Sequence, residues 1–273
     1  MDRSGIVLVL GAGGARGVAH AGVLRRLRAE RIPIDTILGC SVGAIVAAMY
    51  AAVGMAPEEM IGAARRIGPA TLLSFALSRW RLPLISRQAL RRSGEIPAHL
   101  DRLQRASFAR LHHGVARLGI LVFDLRRRCE VLVHGGPGLA EPAPLHVAVK
   151  ASAAIPFLFP PVPAPLDGTR RLLVDAGWHT AVPVEYAFAP PIGARRVIAV
   201  DLGLRVCLRQ GRRSYWDHLK EACGDRLVVL QPRVRGYGTI VARRGDAEAL
   251  AAAGEEALDR DESGRTIRAW AGR

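Results

Sequence analysis

Three short segments carry residues that together could perform acyl transfer. In Gly39-Cys40-Ser41-Val42-Gly43 a serine stands between two glycines at the spacing GxSxG. That spacing lets a tight strand-to-helix turn hold the serine Oγ clear of its neighbours. Upstream, GAGGARG (Gly11–Gly17) is a glycine-rich turn. Its backbone N–H groups could converge on one concavity and hold a phosphate or a developing oxyanion. Downstream, LLVDAGW (Leu172–Trp178) puts Asp175 at the end of an apolar run and follows it with small residues. The ends of strands are where an α/β sheet presents functional groups. A nucleophile and an oxyanion donor are two of the parts that ester hydrolysis through an acyl-enzyme needs.

Each segment also has a plainer reading: a glycine turn used for packing, a small polar residue at a bend, an aspartate in a strand-end turn. Two nucleotide-binding readings of the first segment fail. From Gly11, the third glycine of GxGxxG is occupied by Arg16, and no GK[ST] follows. An ordinary α/β-hydrolase places several strands before its serine elbow, whereas a single strand and helix precede Ser41. Cys40 stands where malonyl-transacylases carry the histidine of GHSxG, which leaves that reading weak.

The elements that must position these residues follow from periodicity. Ile6–Leu10 (IVLVL) is a continuous apolar run, the mark of a strand buried on both faces. Val18–Glu30 has helical spacing, Ile34–Leu38 is a second strand, and Gly43–Val53 a second helix. Strand and helix alternating in this way predict a parallel α/β sheet with right-handed crossovers. Residues 57–118 are expected to be mainly helical with breaks at Pro69, Pro83 and Pro97. Leu118–Asp124 and Cys129–His134 are expected to pair across a basic turn, and Pro142–Ser152 to form a helix. Five prolines between 156 and 165 predict irregular chain. Arg171–Val174, Val197–Asp201 and Leu227–Leu230 are further strands, and Asp246–Leu258 is a closing helix.

Composition narrows the classes. The 273 residues are half hydrophobic and 23% charged, enough for a sizeable core. The net charge of +15 is almost all arginine, scattered as doublets with one triplet, Arg126-Arg127-Arg128. Arginine-rich codon usage explains such dispersion; the excess would also suit peripheral contact with an anionic membrane. No nucleic-acid module is present, so a nucleic-acid partner is not expected. Cys40, Cys129, Cys207 and Cys223 lack metal-ligand or disulfide spacing and read as free thiols in a reducing, cytoplasmic setting. No cofactor and no metal site are expected. The uncharged stretch Thr36–Pro57 is long enough for a membrane span, but divides more naturally into strand, turn and helix.

Taken in order, the three segments resemble the patatin-like phospholipase family, whose members carry GGGxRG, then GxSxG, then DG[GA]. The matching residues are Gly13, Gly14, Arg16 and Gly17, then Gly39, Ser41 and Gly43, then Asp175 and Gly177. KASAAIPFLFPPV (Lys150–Val162) and VIAVDLG (Val197–Gly203) are similar to later family segments, and LAAAGEEAL (Leu250–Leu258) to a closing helix. The resemblance implies a three-layer α/β fold with a mainly parallel central sheet flanked by helices. It implies a domain over residues 5–203, with 204–273 as a strand and helix extension packed on it. It implies a serine lipid acyl hydrolase acting on phospholipid or lysophospholipid esters, with Ser41 as nucleophile and Asp175 as base. Gly13, Gly14, Ala15 and Arg16 would form the oxyanion hole, and Gly39 and Gly43 the elbow glycines. The implied setting is the cytoplasm, including the inner face of the membrane. Ala12 replaces the first loop glycine and Ala176 the middle glycine of DG[GA], which motivates the rival reading of a degenerate, lipid- or partner-binding member. Trp178-His179-Thr180-Ala181 replaces the usual Leu-x-Asn-Pro, and His179 and His20 are alternative bases. Ala70–Ser86, with Trp80, is an apolar stretch that could cover an acyl channel.

Overall fold

The structure, a computed structural model, describes residues 5–66, 95–204, 213–238, 245–260 and 262–272. The stretch Ala70–Ser86 and Cys207 lie outside them. Eight strands form one mixed sheet: β1 (Ile6–Leu10), β2 (Thr36–Cys40), β3 (Arg117–Asp124), β4 (Cys129–Gly135), β5 (Val162–Leu166), β6 (Thr169–Asp175), β7 (Arg196–Val200) and β8 (Leu227–Leu230). The order is β5-β6-β3-β2-β1-β7-β8, with β4 also on β3. The pairings β3–β2, β2–β1, β1–β7 and β7–β8 are parallel, while β4 and β6 run antiparallel to β3, as does β5 to β6.

Alternation along β1 shows why the run IVLVL is needed. Ile6, Leu8 and Leu10 enter one core, and Val7 and Val9 enter another on the opposite face. The first core holds α1 (Val18–Ala29), α2 (Val42–Ala51) and α5 (Leu145–Ser152), numbered with α3 (Pro57–Arg66) and α4 (Glu95–Arg105) between them. The second holds α6 (Val184–Phe188) and residues of α7 (Arg213–Cys223). Helices on both faces of a sheet make the three-layer α/β architecture. After β8, α8 (Asp246–Glu256) crosses α1 so closely that a Cβ at Gly22 or Gly254 would overlap the partner helix backbone. Ion pairs Arg25–Glu255 and Arg26–Asp259 border that crossing, and Arg268 of α9 (Ser263–Trp270) pairs with Glu30.

The feature that builds the site is a shared flank of β3. β4 covers one side of β3 from Leu118 to Asp124, all but its first residue. On the other side β2 pairs only as far as Leu121, opposite Cys40, and β6 takes over at Val122, opposite Asp175. β2 runs parallel to β3 and β6 antiparallel, so their C-terminal ends meet head to head at Leu121 and Val122. Residue 41 and residue 175 are brought together by backbone register alone.

Three expectations need correction. β2 spans Thr36–Cys40 rather than Ile34–Leu38 and runs directly into Ser41. The proline-rich stretch is not wholly irregular, because Val162–Leu166 is the edge strand β5. Its alternate residues Pro163 and Pro165 are exposed, and on an open edge the missing N–H groups cost nothing. Pro97 does not break a helix but sits in the first turn of α4, where its N–H would have had no intrahelical acceptor. Among the described residues no helix is long and apolar enough to cross a membrane.

Candidate active site

Ser41 links β2 to α2 at φ 56°, ψ −124°, a left-handed conformation that a non-glycine residue adopts only when its surroundings impose it. The packing that imposes it is visible. A Cβ at Gly43 would overlap the Leu10 carbonyl oxygen, and one at Gly39 would lie 2.6 Å from the backbone of Ala44. Only glycines on both sides let α2 pack this tightly on the ends of β1 and β2. Ser41 is buried, and the N-terminus of α2 adds a field that favours negative charge on its oxygen.

Asp175 is buried at the end of β6. Its Oδ1 accepts the Gly177 N–H at 2.7 Å, and the Cys40 thiol lies 3.9 Å away. Burial pushes its carboxyl up to about 6, and interactions with the Ser41 hydroxyl and the Gly177 N–H only partly offset that rise. A carboxyl poised near neutrality beside a serine hydroxyl is chemically suited to take its proton.

Sequence reasoning did not single out Ser152. This residue is fully buried at the end of α5. The Ser41 N–H donates to its Oγ at 2.8 Å, and its hydroxyl donates to the Leu121 carbonyl at 2.8 Å. Two residues on, the Ala154 carbonyl accepts the Asp175 N–H at 3.0 Å. The end of α5 therefore clamps both the serine turn and the aspartate strand. The available signal was a serine on the apolar helix LHVAVKAS at a position that has to face the sheet.

The glycine loop lies against the turn. A 3-10 turn, Gly14–Gly17, connects β1 to α1, and a Cβ at Gly17 would collide with Val42. Gly14 has φ +59°. Among the described residues, the N–H groups of Gly13, Gly14 and Ala15 have no backbone acceptor, as expected for the start of a helical turn. Arg16 differs from them. Its N–H bonds the Gly13 carbonyl at 3.3 Å, and its guanidinium bonds the carbonyls of Tyr237 at 2.9 Å and Leu202 at 3.5 Å. Arg16 anchors the loop from outside.

Neither Ala12 nor Ala176 has a positive φ. Both are buried in the second core, so the two added methyls are accommodated without strain. Of the histidines, His20 is fully buried and its Nε2 lies 2.8 Å from the Gly11 carbonyl. Burial lowers its pKa to about 4, which leaves the ring neutral and Nε2–H as the donor. His179 is half-exposed, and its Nδ1 lies 2.9 Å from Glu130, whose other oxygen accepts the Tyr186 hydroxyl at 3.0 Å. The structure thus joins Ser41, Asp175 and the glycine loop, with His20 buttressing the start of that loop at Gly11 and His179 engaged by Glu130.

Compared with known families, the chain matches the patatin-like phospholipase family over residues 8–188. It is 32% identical over 204 residues to a patatin-like phospholipase domain-containing protein of Caenorhabditis elegans, covering 72% of this chain and 14% of that one. It is 32% identical over 197 residues to an uncharacterised NTE family protein of Mycobacterium tuberculosis, covering 71% and 30%. The chain thus spans less than a third of the length of these relatives. VipD from Legionella pneumophila shares the fold, with a TM-score of 0.51 at 13% identity over 97% of this chain and 66% of that one.

Proposed function

The chain belongs to the patatin-like phospholipase family, and from that premise we propose that it is a serine hydrolase of lipid carboxylic esters using a Ser41–Asp175 dyad. The supporting observation is the meeting of β2 and β6 on β3, which sets the Ser41 hydroxyl against a buried carboxylate whose pKa is about 6. Asp175 takes the Ser41 proton as Oγ attacks the ester carbonyl carbon. The N–H groups of Gly13, Gly14 and Ala15 receive the oxyanion, while Arg16 holds their loop in place. The protonated Asp175 then donates to the leaving alcohol. It later accepts a proton from the water that attacks the acyl-enzyme carbonyl, and returns it to Ser41 Oγ as the fatty acid leaves.

The residues proposed for the chemistry all fall within 5–203, and the substrates are phospholipid or lysophospholipid esters. The free thiols of Cys40, Cys129 and Cys223 support a cytoplasmic setting. Labelling with a fluorophosphonate probe, alongside hydrolysis of a short p-nitrophenyl ester, tests the reading. Wild type is expected to label and turn over, and Ser41→Ala to do neither. A folded wild type that takes no label would instead support a lipid- or partner-binding member without turnover.

A further inference from the structure

We propose that the loop Ala154–Pro161 is a wedge that docks the mouth of the site on an anionic lipid bilayer, with Phe157 at its tip. The proposal takes its purpose from the lipid-hydrolase reading but is tested separately. Six large hydrophobic side chains are exposed among the described residues: Leu125, Leu139, Ile155, Phe157, Leu158 and Trp178. Random scatter would need no explanation, but three of these six lie in one loop beside the end of β6 that carries Asp175, and a fourth, Trp178, follows that aspartate. Ile155, Phe157 and Leu158 fall within four positions that begin one residue after Ala154, whose carbonyl holds the Asp175 N–H. Trp178 follows Asp175 by three residues and packs edge-on against Phe123 of β3. The Leu125 N–H donates to the Leu172 carbonyl in the middle of β6, one residue from Leu173, which pairs with Val162 just beyond the loop.

The loop is built to hold its tip outward. Phe157 is fully exposed and has φ +68°, a conformation costly for an aromatic residue and without purpose for a side chain meant to pack inside. The N–H groups of Leu158 and Phe159 both bond the Ile155 carbonyl, and Phe159 packs on the first core. Pro156, Pro160 and Pro161 stiffen the remainder. A rigid apolar tip loses little conformational freedom on insertion.

The charge nearby selects the occupant. Arg126, Arg127 and Arg128 are exposed on the β3–β4 turn that carries Leu125, beside the same strand β6. Apolar side chains bordered by arginines match the boundary between acyl chains and anionic headgroups. A bilayer is also where the ester substrates of this site reside.

Co-sedimentation of the full chain with mixed phosphatidylcholine–phosphatidylglycerol vesicles tests the proposal. Wild type and Phe157→Trp are expected in the pellet. Phe157→Asp is expected to lose about tenfold in partition, and Arg126→Gln/Arg127→Gln/Arg128→Gln to lose its dependence on phosphatidylglycerol. Turnover of a soluble short-chain ester should be equal in all four, which also shows that each is folded. Failure of wild type to sediment, or equal sedimentation of wild type and Phe157→Asp, would overturn the proposal. So would a lipid-free wild-type dimer that Phe157→Asp converts to monomer, because a second copy would then be the occupant. A wild type that binds vesicles yet takes no fluorophosphonate label would sink the catalytic reading and leave the docking surface standing.

Discussion

Two buried aspartates close neighbouring strands and meet opposite fates. Asp124 ends β3 and Asp175 ends β6, and the antiparallel register sets them two positions apart, opposite Leu173 and Val122. The Asp124 carboxylate pairs with the buried Arg171 guanidinium at 2.9 Å and accepts the N–H groups of Arg126 and Arg127 at 2.9 and 3.2 Å. Burial alone would raise its pKa, but Arg171 and the two amides hold it below the ordinary value. Asp175 receives one backbone N–H, the serine and the weak Cys40 thiol donor, pairs with no cation among the described residues, and burial carries it up to about 6. A charge satisfied on every side holds a turn; a charge left partly unsatisfied can take a proton.

Exchanging each aspartate for asparagine should break the two apart. Asp175→Asn is expected to lower kcat by about 10²–10⁴-fold. It should also raise stability at pH 7 by about 2 kcal/mol, since a buried ionised carboxylate is removed. Asp124→Asn should do the reverse, costing about 3 kcal/mol because the buried Arg171 loses its close partner and keeps only a 3.8 Å contact with the exposed Asp167, while kcat of the folded fraction stays within a few-fold. Urea unfolding and ester turnover on both variants check this. The pH dependence follows from the raised pKa: kcat/KM should rise through an apparent pKa of about 6. The folded state binds the Asp175 proton more tightly than the unfolded one, so this group's stabilising contribution is complete below about 4 and is lost as pH rises through about 6. The stability gap between Asp175→Asn and wild type should therefore open over that window and be absent below it.

That difference also marks how far the sequence could be read. β1, β7 and β8 were legible as continuous apolar runs because strands buried on both faces need no polar alternation. Ser41 was legible from the GxSxG spacing itself, although only Gly39 is required by a local contact, with Ala44, while Gly43 is required by the Leu10 carbonyl of β1. The two aspartates are nearly alike in sequence, each ending an apolar strand, and Arg171, the cation that separates them, lies on the same strand as Asp175 yet pairs with Asp124 across the sheet, a choice only the strand register sets. β5 was missed because its prolines lie on an open edge, a location set only by strand order. Ser152 was missed for a related reason: its task exists only where the end of α5 reaches Leu121.

Ser152 sharpens the contrast from the nucleophile's side. Ser152→Ala removes the acceptor of the Ser41 N–H and a donor to Leu121 in a fully buried place. The expected cost is about 1–3 kcal/mol of stability. A loosened turn should lower kcat about tenfold with KM unchanged, because what is lost is aim rather than binding. Ser152→Thr retains the hydroxyl and should recover part of kcat. A fall in KM-governed binding instead, with kcat intact, would show that the clamp serves the substrate pocket and not the serine.

The smallest effect concerns the two alanines that depart from the family pattern, and it bears on whether this member is degenerate. If Ala12 and Ala176 had forced the loop or the aspartate strand out of place, restoring glycine would recover activity. Neither residue has a positive φ, and both methyls lie in the second core with Cys40 and Leu121. A Cβ at Gly177, by contrast, would sit 2.9 Å from the Ala12 methyl and 3.0 Å from Asp175 Oδ1. The position that needs glycine beside the aspartate has kept it. Ala12→Gly and Ala176→Gly should each cost about 0.5–1 kcal/mol through backbone entropy and leave kcat/KM within about twofold. A tenfold gain in turnover from either would place the strain where the structure shows none, and would make the alanines a brake on the dyad.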